Sequence, residues 1–263
     1  MSAKQAIGIF DSGIGGLSIW KEIISLLPNE HTIYLADGKN APYGQKSKEK
    51  IIEFCIKNTE LLLAKGCKVI VVACNTATTN AIDYLRKNYD IPFIGIEPAI
   101  KPAALQTQTN AIGILATKGT LSSALFNETS DKFASNITVI EQVGEGLVPL
   151  IEANKIYTPE MELLLKKYLY PMLKQHIDYL VLGCSHYPFL IPQIRKIIGD
   201  NVSIIDSGEA VARQTKHILS VHRLLNTTST KAQHQLYCNA HLKTLQQVAA
   251  PLKLDLTVQL LDF

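Results

Sequence analysis

The feature that most constrains this chain is that it repeats itself. Ala111–Ala116 (Ala-Ile-Gly-Ile-Leu-Ala) echoes Ala6–Phe10 (Ala-Ile-Gly-Ile-Phe), and Ile112 lies 105 residues after Ile7. Ile137–Ile140 falls where Thr32–Leu35 does, with Val139 106 residues after Ile33. Tyr179–Gly183, closed by Cys184, echoes Val69–Ala73, closed by Cys74, at 110 residues. Ser203–Ile205 before Asp206 echoes Ile94–Ile96 before Glu97, at 109. Four matches at a nearly constant offset imply an internal duplication.

Each copy alternates short apolar runs with helical periods. Ile7–Phe10, Thr32–Ala36, Val69–Ala73 and Phe93–Ile96 read as buried strands. Between them, Leu17, Trp20, Ile23 and Leu27 repeat at helical spacing until Pro28, Lys48–Lys65 forms a helix stopped by Gly66, and Asn75–Lys87 forms a third. Thr158-Pro159 supplies a cap and a first-turn proline for a helix over Glu160–Leu173. This alternation predicts an α/β fold. Two similar lobes of parallel-sheet βαβ organisation are related by a pseudo-twofold duplication, with the active site in the interlobe cleft. Glu97-Pro98 through Pro102 ends the first lobe and Asp206-Ser207-Gly208 the second. The tail holds a helix (Glu209–Leu224), a polar loop (Asn226–Lys231), a strand (Gln235–Cys238), a helix (Leu242–Ala250) and a strand (Leu256–Leu261). It is too short for a third lobe and is expected to return to the first. The predicted domains are 1–97 with 207–263, and 98–206.

Composition excludes several classes. With 26 basic and 23 acidic residues the net charge is +3, too mild to argue for a nucleic-acid partner. The interrupted lysines 39, 46, 48 and 50 read as a solvated face. No apolar run approaches the roughly 18 residues that span a bilayer, and the first residues show no signal-peptide pattern. No membrane partner and a cytoplasmic location are therefore expected. Five cysteines, an odd number with no Cys-x-x-Cys pair, argue against a disulfide framework.

In parallel α/β sheets ligands sit beyond the carboxyl ends of the strands. Those ends carry Asp11-Ser12-Gly13, Asp37 to Gly44, Cys74-Asn75-Thr76 and Glu97 in the first copy. In the second they carry Thr117 and Thr120, Glu141, Cys184-Ser185-His186 and Asp206. A lone cysteine is usually a small buried hydrophobe, and Cys55, Cys67 and Cys238 read that way. Cys74 and Cys184 occupy matching strand ends, each expected at a helix start that favours a thiolate. Two like acid/base groups aimed at one cleft suit stereoinversion at an acidic carbon, where one removes a proton and the other returns it from the opposite face. A redox dithiol and a metal site using Cys184 and His186 are the alternatives. The first lacks a Cys-x-x-Cys pair and the second lacks further ligands at suitable spacing. Asp11 beside Cys74 and His186 beside Cys184 are the candidate helpers, although Asp11 also suits the N-cap of the first helix. Gly13, Gly15 and Gly16 would let backbone approach a carboxylate or phosphate at a helix N-terminus. Ser12, Asn75, Thr76, Thr120 and Ser185 are short polar groups able to hold an ammonium and two carboxylates. Pro42-Tyr43-Gly44 reads as a turn that closes over the site.

At these residues the chain resembles the glutamate racemases of the cofactor-independent aspartate/glutamate racemase superfamily. The matching segments are Gly8 to Leu17 (GIFDSGIGGL), Ala36-Asp37 with Pro42-Tyr43-Gly44, Ala73-Cys74-Asn75-Thr76-Ala77, Gly95-Ile96-Glu97-Pro98 and Leu182 to Pro188 (LGCSHYP). Gly146-Leu147-Val148 with Glu152, Lys118-Gly119-Thr120 and Asp206-Ser207-Gly208 also match. The resemblance implies glutamate enclosed between two lobes and racemised for peptidoglycan synthesis, with no pyridoxal phosphate and no metal. It implies Cys74 and Cys184 as the acid/base thiols, assisted by Asp11 and His186. Asp11, Ser12, Pro42, Tyr43, Gly44, Asn75, Thr76, Thr120, Ser185 and His186 would bind substrate, and Glu152 would support them. Ser185 departs from the threonine more usual there, keeping the hydroxyl and losing a methyl contact. A homodimer is expected. The rival functions are a racemase for aspartate or another amino acid, and a non-catalytic amino-acid-binding regulator.

Overall fold

The computed structural model describes residues 2–228, 231–250 and 255–263. Its first sheet contains β1 (Ile7–Asp11), β2 (Thr32–Ala36), β3 (Val69–Val72), β4 (Phe93–Gly95), β9 (His234–Cys238) and β10 (Leu256–Leu260) in the order β10-β9-β2-β1-β3-β4. The second contains β5 (Ala111–Ala116), β6 (Thr138–Val143), β7 (Tyr179–Gly183) and β8 (Ser203–Ile205) in the order β6-β5-β7-β8. Every pairing is parallel. The second order repeats the block β2-β1-β3-β4 of the first, which is the duplication expressed as topology. The registers adjust two of the offsets. Thr32 lies opposite Ile7 and Val139 opposite Ile112, a shift of 107 rather than 106. Phe93 lies opposite Ile70 and Ile204 opposite Leu180, a shift of 111, so Asp206 is not the counterpart of Glu97. Apolar runs of three residues match one another at several frames, and only the hydrogen-bonded neighbour fixes the frame. The tail strands join the first sheet through β2.

Helices cover both faces. The first lobe carries α1 (Leu17–Leu26), α2 (Lys48–Ala64), α3 (Asn75–Asn88) and, from the tail, α10 (Gly208–Val221) and α11 (Leu242–Ala249). The second carries α4 (Ile100–Gln106), α5 (Lys118–Leu121), α6 (Ala124–Ala134), α7 (Leu147–Glu152), α8 (Pro159–Leu173) and α9 (Ile191–Ile198). Thr158 caps α8 as expected, accepting from Met161 N–H. Alternate residues of each central strand enter different cores, as the period of two requires. Phe10, Ile70 and Val72 pack on α2 and α3, together with Cys55 and Cys67. Ile7, Ile9, Val69 and Val71 face α1 and α10 in a cluster that continues through Leu147, Leu165 and Tyr187 of the second lobe. Burial pushes the Cys67 thiol up to about 12 and Cys55 higher still, consistent with packing roles. Among the described residues no helix is long and apolar enough to cross a membrane.

A buried lysine–glutamate pair sits inside this framework. Lys68, just before β3, has a fully buried side chain and donates to Glu30 Oε2 at 2.5 Å and to the carbonyls of Ala3 and Leu224 at 2.5 and 2.9 Å. The other oxygen of Glu30 accepts from Asn226 N–H at 2.7 Å. The pair therefore ties the segment after α10 to the amino end of the first sheet. Lys68→Ala leaves a buried carboxylate without its cation and is expected to lower unfolding free energy by about 3–5 kcal/mol, read from the midpoint of urea denaturation at constant slope.

Candidate active site

The carboxyl ends of β1 and β3 face those of their counterparts β5 and β7 across the cleft. Cys74 caps α3 and accepts from Ala77 N–H at 3.4 Å, while its own thiol lies 3.7 Å from Ser12 Oγ. Cys184 follows β7, but the expected helix start is not beneath it. A short 3-10 turn, Tyr187–Leu190, comes next, and α9 begins only at Ile191. Pro188 lies in the first turn of that 3-10 segment and Pro192 in that of α9. Proline is tolerated at such first-turn positions because the N–H it lacks has no intrahelical partner there. The neighbour of Cys184 is instead His186, whose Nδ1 lies 3.9 Å from the sulfur.

Both thiols line one narrow cavity of about 10 Å³, room for about one water molecule. Ser12, Pro42, Tyr43, Gly44, Asn75, Thr76, Ser185 and His186 complete the expected lining, joined by Thr117 and Val148. Thr117 is legible only as a strand-end residue, and Val148 only as part of the Gly146-Leu147-Val148 segment. Asn75 is 2% exposed and neither its amide oxygen nor its nitrogen has a partner. A buried amide with both ends free, beside two thiols, is a site prepared for a ligand with both donors and acceptors.

Three expected site residues stand behind the lining. Thr120 belongs to a hydroxyl cluster with Thr76 and Thr117, at 3.3 and 3.0 Å, and Thr76 meets Thr117 at 2.8 Å. Asp11 accepts from Ser185 Oγ at 2.9 Å and from Gly13 N–H at 3.0 Å. It does not cap α1, whose N-cap is Gly16. Glu152, the last residue of α7, accepts from Ile14 N–H at 2.8 Å and meets His186 Nε2 at 2.6 Å through the same oxygen. This overturns the sequence reading of the glycines. A Cβ on Gly13 would lie 1.9 Å from Glu152 Oε1, and one on Gly15 would lie 2.2 Å from His186 Nδ1. The glycine run is bare so that the second lobe's own carboxylate and imidazole can lie against it.

A family model described as Asp/Glu/Hydantoin racemase matches residues 7–215. The chain belongs to this racemase family. It is 50% identical over 234 residues to the glutamate racemase of Ectopseudomonas mendocina, covering 88% of this chain and 89% of that one. Its fold matches the crystal structure of Escherichia coli glutamate racemase in complex with L-glutamate and the activator UDP-MurNAc-Ala, with a TM-score of 0.87, 32% identity and 98% of each chain covered. It also matches Bacillus anthracis glutamate racemase isoform RacE1, with a TM-score of 0.86, 31% identity and 98% of each chain covered.

The electrostatics of this racemase site are unequal on its two sides. Burial, then the Asp11 charge, pushes the Cys74 thiol well above its ordinary value, outweighing the Ala77 N–H. The sequence expectation of a thiol lowered by its helix start fails here because one backbone donor cannot offset complete desolvation. Asp11 is itself raised by burial, against the pull of His186 and Ser185. His186 goes the other way. Burial disfavours its cation, but hydrogen bonds to Cys184 and Glu152 and the charge of Asp11 prevail, holding its pKa well above 6.5. Because the folded value is raised, the stability this proton contributes is complete below about pH 6.5, the unfolded value. It is lost as pH rises through the folded value. Histidine-detected NMR is expected to show His186 titrating above the ordinary range in the wild type. Glu152→Gln and Gly15→Ala should each bring that midpoint down, the first by removing the charge and the second by displacing the ring. A wild-type midpoint at or below 6.5 would contradict the assignment.

Proposed function

We propose that the chain interconverts L- and D-glutamate by proton transfer between Cys74 and Cys184, through the substrate Cα. The observation that carries this reading is the pair of buried thiols, from equivalent strand ends of a duplicated fold, lining one polar cavity. The curated relatives and solved neighbours named glutamate racemase support glutamate as the substrate.

One cysteine, as thiolate, takes the Cα proton, so the Cα–H bond breaks and an S–H bond forms. The carbanionic intermediate is held by hydrogen-bond donors around its carboxylate, with the Asn75 amide and the hydroxyls of Ser12, Thr76 and Ser185 placed to provide them. The opposite thiol gives its proton to the other face of Cα. Burial and Asp11 keep Cys74 a neutral thiol, ready to donate. His186, fixed by Glu152, exchanges a proton with Cys184. With thiols carrying both transfers, the chemistry calls on neither pyridoxal phosphate nor a metal. Thr120 acts by holding Thr76 and Thr117, and Pro42, Tyr43 and Gly44 close the cavity mouth.

A cavity the size of one water cannot admit glutamate without opening. Interlobe contacts that must yield include Thr76 to Thr117 on one side and, on the other, Ile14 N–H to Glu152, Ser185 to Asp11, and Ser18 Oγ to the Ser185 carbonyl at 2.9 Å. The lobes that part are 1–97 with 207–263, and 98–206. At both proposed boundaries Ser207 Oγ donates to the Glu97 carbonyl, a natural pivot. We further infer a homodimer located in the cytoplasm, supplying D-glutamate for the bacterial cell wall.

Incubation of either enantiomer in deuterated water should place deuterium at Cα of the product, read by mass spectrometry and chiral chromatography. Cys74→Ser and Cys184→Ser should each lower racemisation by about 10²–10⁴-fold, the range of a lost acid/base group. Full activity in either variant would sink the thiol assignment, and turnover of aspartate in place of glutamate would sink the substrate.

A further inference from the structure

The proton-transfer scheme leaves unused a buried acid that bonds directly to the cavity lining. Asp37 lies just past β2 and is 2% exposed. Its Oδ1 accepts from Asn239 Nδ2 at 2.6 Å and Asn40 Nδ2 at 2.8 Å, and its Oδ2 accepts from the Tyr43 hydroxyl at 2.5 Å. All three donors are neutral. Lys39, two residues on, turns outward to Asp262. A buried carboxylate held by neutral dipoles gives up its hydration without a counter-charge, which costs stability. That cost is understandable where the carboxylate fixes something a neutral group would fix less firmly.

What it fixes is Tyr43, which lines the thiol cavity. Asn58 Nδ2 donates to the phenol oxygen at 3.1 Å, so the phenol's own hydrogen points at Asp37. Burial, then the Asp37 charge, pushes the phenol far above its ordinary pKa and keeps it a donor. The next residue, Gly44, has no slack toward the second lobe. A Cβ there would lie 2.8 Å from Thr117 Cβ. On its other side the cluster is gripped by the tail. Asn239, directly after β9, donates from its amide to the Ala36 carbonyl at 3.3 Å and accepts from Lys39 N–H at 2.9 Å. Its Nδ2 also reaches the Phe263 carbonyl at 3.1 Å.

We propose that Asp37, oriented by Asn239, is a positioning residue that sets Tyr43 and Gly44 against the substrate, making the C-terminal segment a working part of the glutamate site. This rests on the glutamate reading above. The cluster's hydrogen bonds do not involve the side chains of Cys74, Cys184, His186 or Glu152, so its loss should weaken substrate binding and leave proton transfer largely intact.

The test compares Asp37→Asn, Asn239→Ala, Tyr43→Phe and the exchanged pair Asp37→Asn with Asn239→Asp. KM and kcat are measured with both enantiomers of glutamate, alongside thermal unfolding. In Asp37→Asn the new amide nitrogen meets another donor, either the Tyr43 hydroxyl or the Asn239 amide. The exchanged pair restores donor to acceptor between positions 37 and 239 and gives up the bond from residue 239 to the Phe263 carbonyl. KM for both enantiomers should rise about 10–100-fold in Asp37→Asn, the loss expected for a hydrogen bond to a charged group. It should also rise in Asn239→Ala and Tyr43→Phe, with kcat changed only a few-fold, and the exchanged pair should recover most of the lost affinity. Unchanged KM in folded variants, a fall in kcat with KM intact, or an exchanged pair as impaired as Asp37→Asn would each overturn the positioning role. Should Asp37→Asn fail to fold, Tyr43→Phe and Asn239→Ala decide the question. A wild type that exchanges no Cα proton of glutamate would remove the glutamate reading, and this role with it. A wild type that does so with unaffected variants removes this role alone.

Discussion

The closed form of this molecule depends on a single carboxylate oxygen. Oε1 of Glu152 receives the Ile14 N–H of the first lobe and the His186 imidazole of the second, at 2.8 and 2.6 Å. It thereby joins the turn after β1, which packs beside Cys74 through Ser12, to the turn after β7, which carries Cys184. The contact requires bare backbone at Gly13 and Gly15, since any side chain there would occupy the place of the carboxylate or of the ring. The alignment of the two strand ends follows from a bond made across the cleft, and each lobe alone would lack half of it.

Burial is then both the means and the cost. A narrow cavity lined by buried groups strengthens every dipole aimed into it, but it also disfavours the charged states that proton transfer needs. The two sides meet this differently. Around Cys74, burial and a neighbouring acid keep the thiol neutral against the pull of the Ser12 hydroxyl. Around Cys184 the neighbour is an imidazole whose cation is supported by two carboxylates. The duplication made two like sites, and local substitution has made them chemically complementary.

Much of this was legible in the sequence. The central strands β1, β3, β5 and β7 announce themselves because each is a short, mostly apolar run buried on both faces, and the repeat in those runs becomes the repeated strand order. The site lining was legible because parallel sheets present their strand ends to ligands. What escaped was short or distant. The helices α4, α5, α6 and α7 were not anticipated, and α9 was expected to begin at Cys184. α7 and α9 are single or double turns, and the eleven residues of α6 bury only Phe126 and Ala134, so no apolar stripe shows. The purpose of Gly13 and Gly15 was misread because their partners lie far along the chain, and local spacing carries no sign of them. Asp37 was visible as a strand-end acid, yet its tie to Asn239 depends on β9 pairing beside β2.

The unequal surroundings of Cys74 and Cys184 have a thermodynamic limit. L- and D-glutamate are mirror images, so they have the same free energy in water and their equilibrium constant is one. A protein that holds an acid beside one sulfur and an imidazole beside the other cannot bias that balance. It can only stabilise one bound enantiomer more than the other, and any gain in affinity for that hand must be matched by a slower departure from it. The asymmetry of the site is therefore spent on kinetics: kcat and KM can differ between the two directions, while their ratio must be the same for both.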